Sequence, residues 1–410
     1  MKLQNRPFLL IFLIILLSGC SIKEARLSTE SPYYPLDSLK EGSILHVPTG
    51  TLISEDQLFS YSSGARIIYV GEVHDNLDHH KSQLAVIKAL EQRYPGKVAV
   101  GMEMFRRPSQ PILDKWVSGE LDDKAFFKKW IKDWGFDYGY YKDILDYVRK
   151  KKIPLVALNA SREQMRALMH KGVDEMDSEI GESLPEMDEG DPYHRAMIEA
   201  IYGEKSHGKG AFDRFYQMQL LWEETMARSI ADFLKSADGE GMHMVVLAGG
   251  GHVEYGFGIP KRVFRQLPEP YTTILLTSPE VTGNEELVRK KGIKLLKVDL
   301  PEVPLYAADF VWSTGYERLE YDRPRLGVQL KEEDEKVKVV LVDPGSAAEN
   351  GGIKAGDIIE ELDGESVKDV SDLIYLIRLK EFGQKSTVTI LRGEDIHEIE
   401  VHFVKKNEDQ

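Results

Sequence analysis

Cysteine is all but absent: Cys20 is the only one among 410 residues, so no disulfide can form within the chain. Positive charge is also scarce, with 53 lysines and arginines against 68 aspartates and glutamates. Such a surface repels nucleic acid and anionic headgroups, which excludes a nucleic-acid partner and a polybasic membrane contact. No apolar run is long enough to cross a bilayer, because Phe8 to Leu17 stops well short of the roughly 20 residues that a spanning helix needs. There is no H-E-x-x-H helix of a zinc protease and no G-x-S-x-G nucleophile elbow. Gly249 to Gly251 lack the further glycine that a G-x-G-x-x-G dinucleotide turn requires.

What the N-terminus does have is Lys2 and Arg6 ahead of that apolar run, the pattern of a secretory signal over residues 1–19. The run ends in "LLSGC", which resembles the bacterial lipobox. The resemblance implies that Cys20 is acylated and becomes the mature N-terminus, so that the bilayer is engaged through lipid. Ser21 follows it, where aspartate is associated with retention at the inner membrane. The expected location is therefore the bacterial cell envelope, lipid-anchored to the outer membrane and facing the periplasm. Residues 20–40 are polar and read as a tether.

The length calls for two or more domains. After a short hairpin in "SILHVPTGTLIS", the apolar runs "ARIIYVG", "KVAVGME", "KIPLVALN", "MHMVVLAGG" and "YTTILLTS" alternate with amphipathic helical stretches. Continuous apolar strands separated by helices predict an α/β domain over 41–315, with a mostly parallel sheet and helices on both faces. A long, acidic, helix-rich stretch at about 161–241 reads as a helical insertion lying over that sheet. From Arg325 to Val404, short strands, one helix and dense glycine turns predict a separate small α+β domain.

In open α/β sheets, ligands sit outside the carboxyl ends of the strands. Those ends carry Glu72 and His74, Glu103, Asn159, and His252 after three glycines. Two imidazoles and two carboxylates from separate strands can thus share one cleft. The set Glu72, His74, Glu103 and His252 suits a divalent metal of the zinc, manganese or iron type, or acid/base work in which Glu72 and Glu103 would act. A purely structural role, satisfying loop backbone, is the alternative. His79 and His80 follow Asp78, a candidate N-cap, and adjacent helical positions diverge, so at most one belongs to the cleft and a solvated helix start is expected for both.

"VGEVHDN", "GMEMF", "VALNASR", "QLLWEETMA" and "GGGHVEYGFGIP", in this order across about residues 40 to 280, resemble the ChaN family of haem-binding, iron-regulated lipoproteins. That family is similar to the wider Tiki, TraB and erythromycin-esterase group, whose signature is a pair of G-x-x-H motifs with a glutamate between them. Gly71 to His74, Glu103 and Gly249 to His252 match it. The resemblance implies haem and iron acquisition on one side and, through the Tiki relatives, a metal-dependent hydrolase or protease on the other. Haem needs an apolar slot and an axial donor. Within the insertion, Tyr193, His194, His207 and Tyr216 are the candidates, although no spacing among them points to iron and packing is the common use of such residues. Covalent haem is excluded, since C-x-x-C-H is absent.

"RLGVQL", "VDPGSAAENGGIKAGDIIEELDGESV" and "SDLIYLIRL" resemble a bacterial PDZ domain. The resemblance implies capture of a peptide or protein C-terminus. The amides at Gly327 would hold the carboxylate, Arg325 would strengthen the anion site, and Leu326 and Val328 would line an apolar pocket walled by a helix at 372–379. Tyr316 to Pro324 is polar and shows no strand or helix period, so the small domain is expected to be separable and to fold alone. Whether the chain forms a homo-oligomer is open on these residues.

Overall fold

The computed structural model describes residues 39–171, 178–202, 210–279, 306–320, 323–333 and 336–405. The leader, Cys20, all but the end of the tether, and His207 lie outside the described residues.

The hairpin forms as expected from β1 (Ile44–His46) and β2 (Thr51–Ile53) around Pro48 and Gly50. The five apolar runs become β3 (Ile67–Glu72), β4 (Val98–Arg106), β5 (Leu155–Asn159), β6 (His243–Gly249) and β7 (Tyr271–Thr277), and β8 (Phe310–Ser313) joins them. Together they make an eight-stranded sheet in the order β2-β1-β8-β7-β3-β6-β4-β5. β3 through β8 pair in parallel, and the hairpin closes one edge antiparallel to β8.

The runs are continuously apolar because both sheet faces are covered. Ile68 and Val70 of β3 point to a core shared with helices Leu77–Arg93, Gln110–Ser118 and Lys142–Lys151. Their neighbours Ile67 and Tyr69 point to the opposite core, with Met226 and Ile230 of helix Ala211–Lys235 and Val263 of helix Ile259–Gln266. Each such aliphatic residue contributes about 1.5–3 kcal/mol on burial. Helix Ala211–Lys235 is thus a covering layer of the sheet itself. The part of 161–241 that stands over the fold is narrower than its acidic composition suggested, and comprises helices Arg162–Lys171, Ser178–Ser183 and Pro192–Tyr202.

The C-terminal domain has β9 (Val328–Glu333), β10 (Lys336–Val342), β11 (Ile358–Leu362), β12 (Glu365–Ser366), β13 (Lys385–Arg392) and β14 (Asp395–His402), all paired antiparallel. Its own core includes Val337, Ile359, Leu373, Val388 and Ile390. The helix that walls the pocket runs from Val370 to Arg378.

The stretch before the small domain is bonded to the α/β domain. Glu317 donates its amide to Asn76 Oδ1 at 3.1 Å, and Leu319 donates its own to the Tyr140 hydroxyl at 3.2 Å. The small domain also docks: Lys128 pairs with Asp369 and Asp372, both at 2.9 Å, and the rings of Phe127 and Tyr375 lie 5.5 Å apart. Docking and independent folding are compatible because the apolar core of the small domain is self-contained. A fragment spanning 323–405 is therefore expected to melt in one cooperative transition by circular dichroism. A gradual, non-cooperative melt would show that the docking contacts are needed to complete the fold.

Candidate functional site

β3, β6 and β4 are adjacent, and Glu72 of β3 lies in register with Gly249 of β6. That adjacency brings the two G-x-x-H segments and Glu103 together at the carboxyl ends of the strands. Glu103 accepts the Gly249 amide through Oε2 at 2.7 Å, while Asn159 donates to the Glu103 carbonyl at 3.0 Å. A methyl group at Gly249 would sit 3.2 Å from His74 Nε2 and 3.7 Å from Glu103 Oε2, so glycine keeps open the space onto which His74 and Glu103 face.

Both cleft histidines are held from behind in the same way. His74 Nδ1 lies 2.8 Å from Glu72 Oε1, which also accepts the Tyr141 hydroxyl at 2.6 Å. His252 Nδ1 lies 3.1 Å from Glu223 Oε1, and its Nε2 is 3.7 Å from Glu103 Oε1. Glu223 in turn has His194 Nε2 at 3.0 Å and Arg262 Nη1 at 3.3 Å. Each imidazole is therefore oriented through Nδ1 by a buried carboxylate, which leaves Nε2 as the nitrogen for an incoming group.

Burial opposes charge on Glu72, yet His80 and His74 hold its carboxyl well below the usual range. Glu223 is lowered likewise, against burial, by His194 and His252. For His74, burial works against protonation, but the Glu72 bond and the negative charge of Glu103 raise its pKa to about 9. His252 is also raised despite burial, by Glu103 and Glu223. His74 and His252 therefore hold a proton more tightly than a free imidazole, while Glu72 and Glu223 give theirs up more readily than a free carboxyl. Among the described residues, no group of three or more His, Cys, Asp or Glu side chains is arranged to hold a metal ion as it stands.

The helix after β3 differs from expectation. Asn76, not Asp78, caps it, accepting the Asp78 amide at 3.0 Å. His79 and His80 are buried rather than solvated, at 0% and 3% exposure. His80 places Nδ1 2.8 Å from Glu72 Oε2, an ion-pair distance off the line of a good hydrogen bond, and its Nε2 is 3.2 Å from the His74 carbonyl. His79 accepts the Val73 amide at 2.9 Å and so holds the loop instead of facing the cleft.

The described insertion candidates fall in two places. His194 and Tyr216 are buried and lie 3.2 Å from each other, so His194 serves the Glu223 network from behind. Tyr193 is half-buried and stacks on Phe257, which stacks on Tyr255.

Glu223, Tyr141 and the aromatic wall were not singled out in sequence. Trp134 meets the His74 ring edge-on at 4.8 Å and Phe136 lies 5.5 Å from it, with Phe136 40% exposed. Tyr255, three residues after His252, combines an exposed ring with a left-handed backbone at φ 56°, a strained conformation for a side-chain-bearing residue. The readable signal for Glu223 was an acidic residue amid the apolar "QLLWEETMA".

A family model described as "Haem-binding uptake, Tiki superfamily, ChaN" matches residues 58–263, and a PDZ model matches residues 324–403. Among solved structures, ChaN of Campylobacter jejuni, described for cofacial haem binding, is 18% identical with a TM-score of 0.48; the match covers 67% of this chain and 98% of that one. The HtrA-type protease AlgW with a decapeptide is 22% identical with a TM-score of 0.20, over 21% of this chain and 30% of that one. The HtrA3 PDZ domain bound to a phage-derived ligand is 23% identical with a TM-score of 0.18, over 20% of this chain and 84% of that one. No curated protein matches the chain.

The site also sets a pH optimum for stability. Burial depresses His79 from 6.5 to about 4 in the folded protein, so the unfolded chain binds the extra proton between those values and stability falls as pH falls through them. His74 acts in the opposite sense, and its contribution is lost as pH rises from 6.5 to about 9. Stability should peak near neutral to slightly acidic pH. In His79→Asn, which retains an acceptor for the Val73 amide, the loss between pH 6.5 and 4 should shrink by on the order of 3 kcal/mol. Urea melts across that range measure it, and an unchanged acid slope would show that His79 does not control it.

Proposed function

Because the chain belongs to the ChaN family of haem-binding uptake proteins in the Tiki superfamily, we propose that it is an envelope lipoprotein that carries haem at the carboxyl ends of its parallel strands. Acylated Cys20 anchors it to the outer membrane on the periplasmic side, and the PDZ domain recruits a partner by its C-terminus. The observation that carries the reading is the placement of His74 and His252, each backed by a buried carboxylate, on either side of Glu103: His74 and Glu103 face the space beside Gly249, and His252 Nε2 lies 3.7 Å from the other oxygen of Glu103, all within the matched residues.

The residues present fit a haem held as cargo. Haem requires a donor for iron and apolar surface for the ring. His74 has 26% of its side chain exposed beside Trp134 and Phe136, and the loop after β6 adds exposed Tyr255. His74 and His252 would offer Nε2, each after loss of a proton, and the aromatic rings would support the macrocycle.

A second reading, a divalent metal and hydrolysis, is favoured by one specific feature: Glu103 stands with the two histidines around the space that Gly249 leaves open. Two imidazoles and a carboxylate suit zinc, manganese or iron.

Haemin titration followed at the Soret band, with metal analysis of the purified protein, separates the two. Stoichiometric haemin uptake is expected, with His74→Ala and His252→Ala each weakening it about tenfold or more, and the double variant losing much less than the sum of the two effects. Bound zinc or manganese without haemin uptake would favour the hydrolase instead. For the anchor, wild type should partition with membranes and carry radiolabelled palmitate, whereas Cys20→Ala should do neither. Equal labelling of both forms would overturn the lipid assignment.

A further inference from the structure

The PDZ groove contains a residue of the other domain. A cavity of about 450 Å³ is lined by Arg323, Arg325, Leu326, Gly327 and Arg378, and also by Asp137 of the α/β domain. Asp137 Oδ1 accepts from Arg378 Nη1 at 2.8 Å and lies 3.6 Å from Arg323 Nη1. Gly327, at φ 76°, stands at the start of β9, the end of the groove where a PDZ fold holds a terminal carboxylate. A carboxylate of the α/β domain thus lines the same cavity as Gly327 and is paired with two of the arginines there.

The same turn reaches the cleft. Trp134 and Phe136, immediately before Asp137, form the wall against His74, and Trp130 donates Nε1 to the Phe136 carbonyl at 2.8 Å. Residues 134–137 therefore connect the anion-binding end of one domain to the exposed imidazole of the other.

We propose that Asp137 is an internal competitor for the PDZ groove, and that a partner ending in an apolar residue with a free carboxylate displaces it from Arg378 and Arg323. Guanidinium favours paired contact with carboxylate, so the exchange is close to balanced and is decided by the apolar residue that the peptide adds against Leu326 and Ile377. Displacement frees the 134–137 turn and alters the wall beside His74. By linkage, a peptide that changes haem affinity by some factor must have its own affinity changed by haem by the same factor. The inference rests on the reading of the PDZ domain as a C-terminus receptor.

The test uses the full-length chain and a pool of fluorescein-labelled heptapeptides with randomised residues ahead of a C-terminal valine. Asp137→Asn retains an acceptor for the Gly139 amide, which Asp137 Oδ1 accepts at 2.7 Å, but loses the charge that competes. By fluorescence polarisation it should bind the pool about five- to tenfold more tightly than wild type. Haemin should shift the peptide affinity of wild type, and the shift should shrink in Asp137→Asn. Equal or weaker peptide binding by Asp137→Asn overturns this inference alone. Failure of both proteins to bind, or equal binding of amidated peptides, overturns the C-terminus reading and this inference with it.

Discussion

Two buried carboxylates, Glu72 and Glu223, organise the cleft, because each is stable inside the protein only while imidazoles surround it. An unpaired carboxylate at this depth would cost several kcal/mol. Glu72 is met by His74, His80 and Tyr141, and Glu223 by His252, His194, Gln219 and Arg262. The requirement reaches outward from there. It explains why His80 turns inward at the helix start, why helix Ala211–Lys235 carries an acidic residue on its buried face, and why helix Pro192–Tyr202 is pinned through His194. His74 and His252, with 26% and 12% of their side chains exposed, are then the members of two larger charge clusters that border the cleft, oriented before any ligand arrives.

Much of this was legible in the sequence and some was not. The strands could be read because a sheet covered on both faces writes itself as unbroken apolar runs, and the cleft because ligand residues gather where such strands end. His79 and His80 were misjudged since helical periodicity describes positions within a helix, whereas their rings are directed by the loop that enters it. His194 and Tyr216 look like donors in isolation, but they lie behind Glu223, a depth that spacing along the chain does not encode. β8 escaped notice because four residues give too short a pattern.

The docking of the small domain was equally hidden. Its sequence has everything an independent PDZ needs, and nothing in "YERLEYDRP" announces the bonds of Glu317 and Leu319 or the pairing of Lys128 with Asp369 and Asp372. Contacts between two self-sufficient cores use scattered polar and aromatic residues with no period. Yet Asp137, which pairs with Arg378 of the small domain, follows directly on the rings that lie against His74, so one short turn touches both folds.

The central claim is that His74 and His252, each fixed through Nδ1 by a buried carboxylate, present Nε2 to one shared ligand. Nitrogen-15 NMR of histidine-labelled protein observes this directly, using His74→Gln and His252→Gln for assignment. In the free protein Nδ1–H of both rings should be bonded to carboxylate, with His74 still protonated near neutral pH, and one equivalent of a diamagnetic haemin analogue such as gallium protoporphyrin should move the Nε2 signals of both together. If the analogue binds and neither signal moves, the shared site lies elsewhere and the paired histidines are structural.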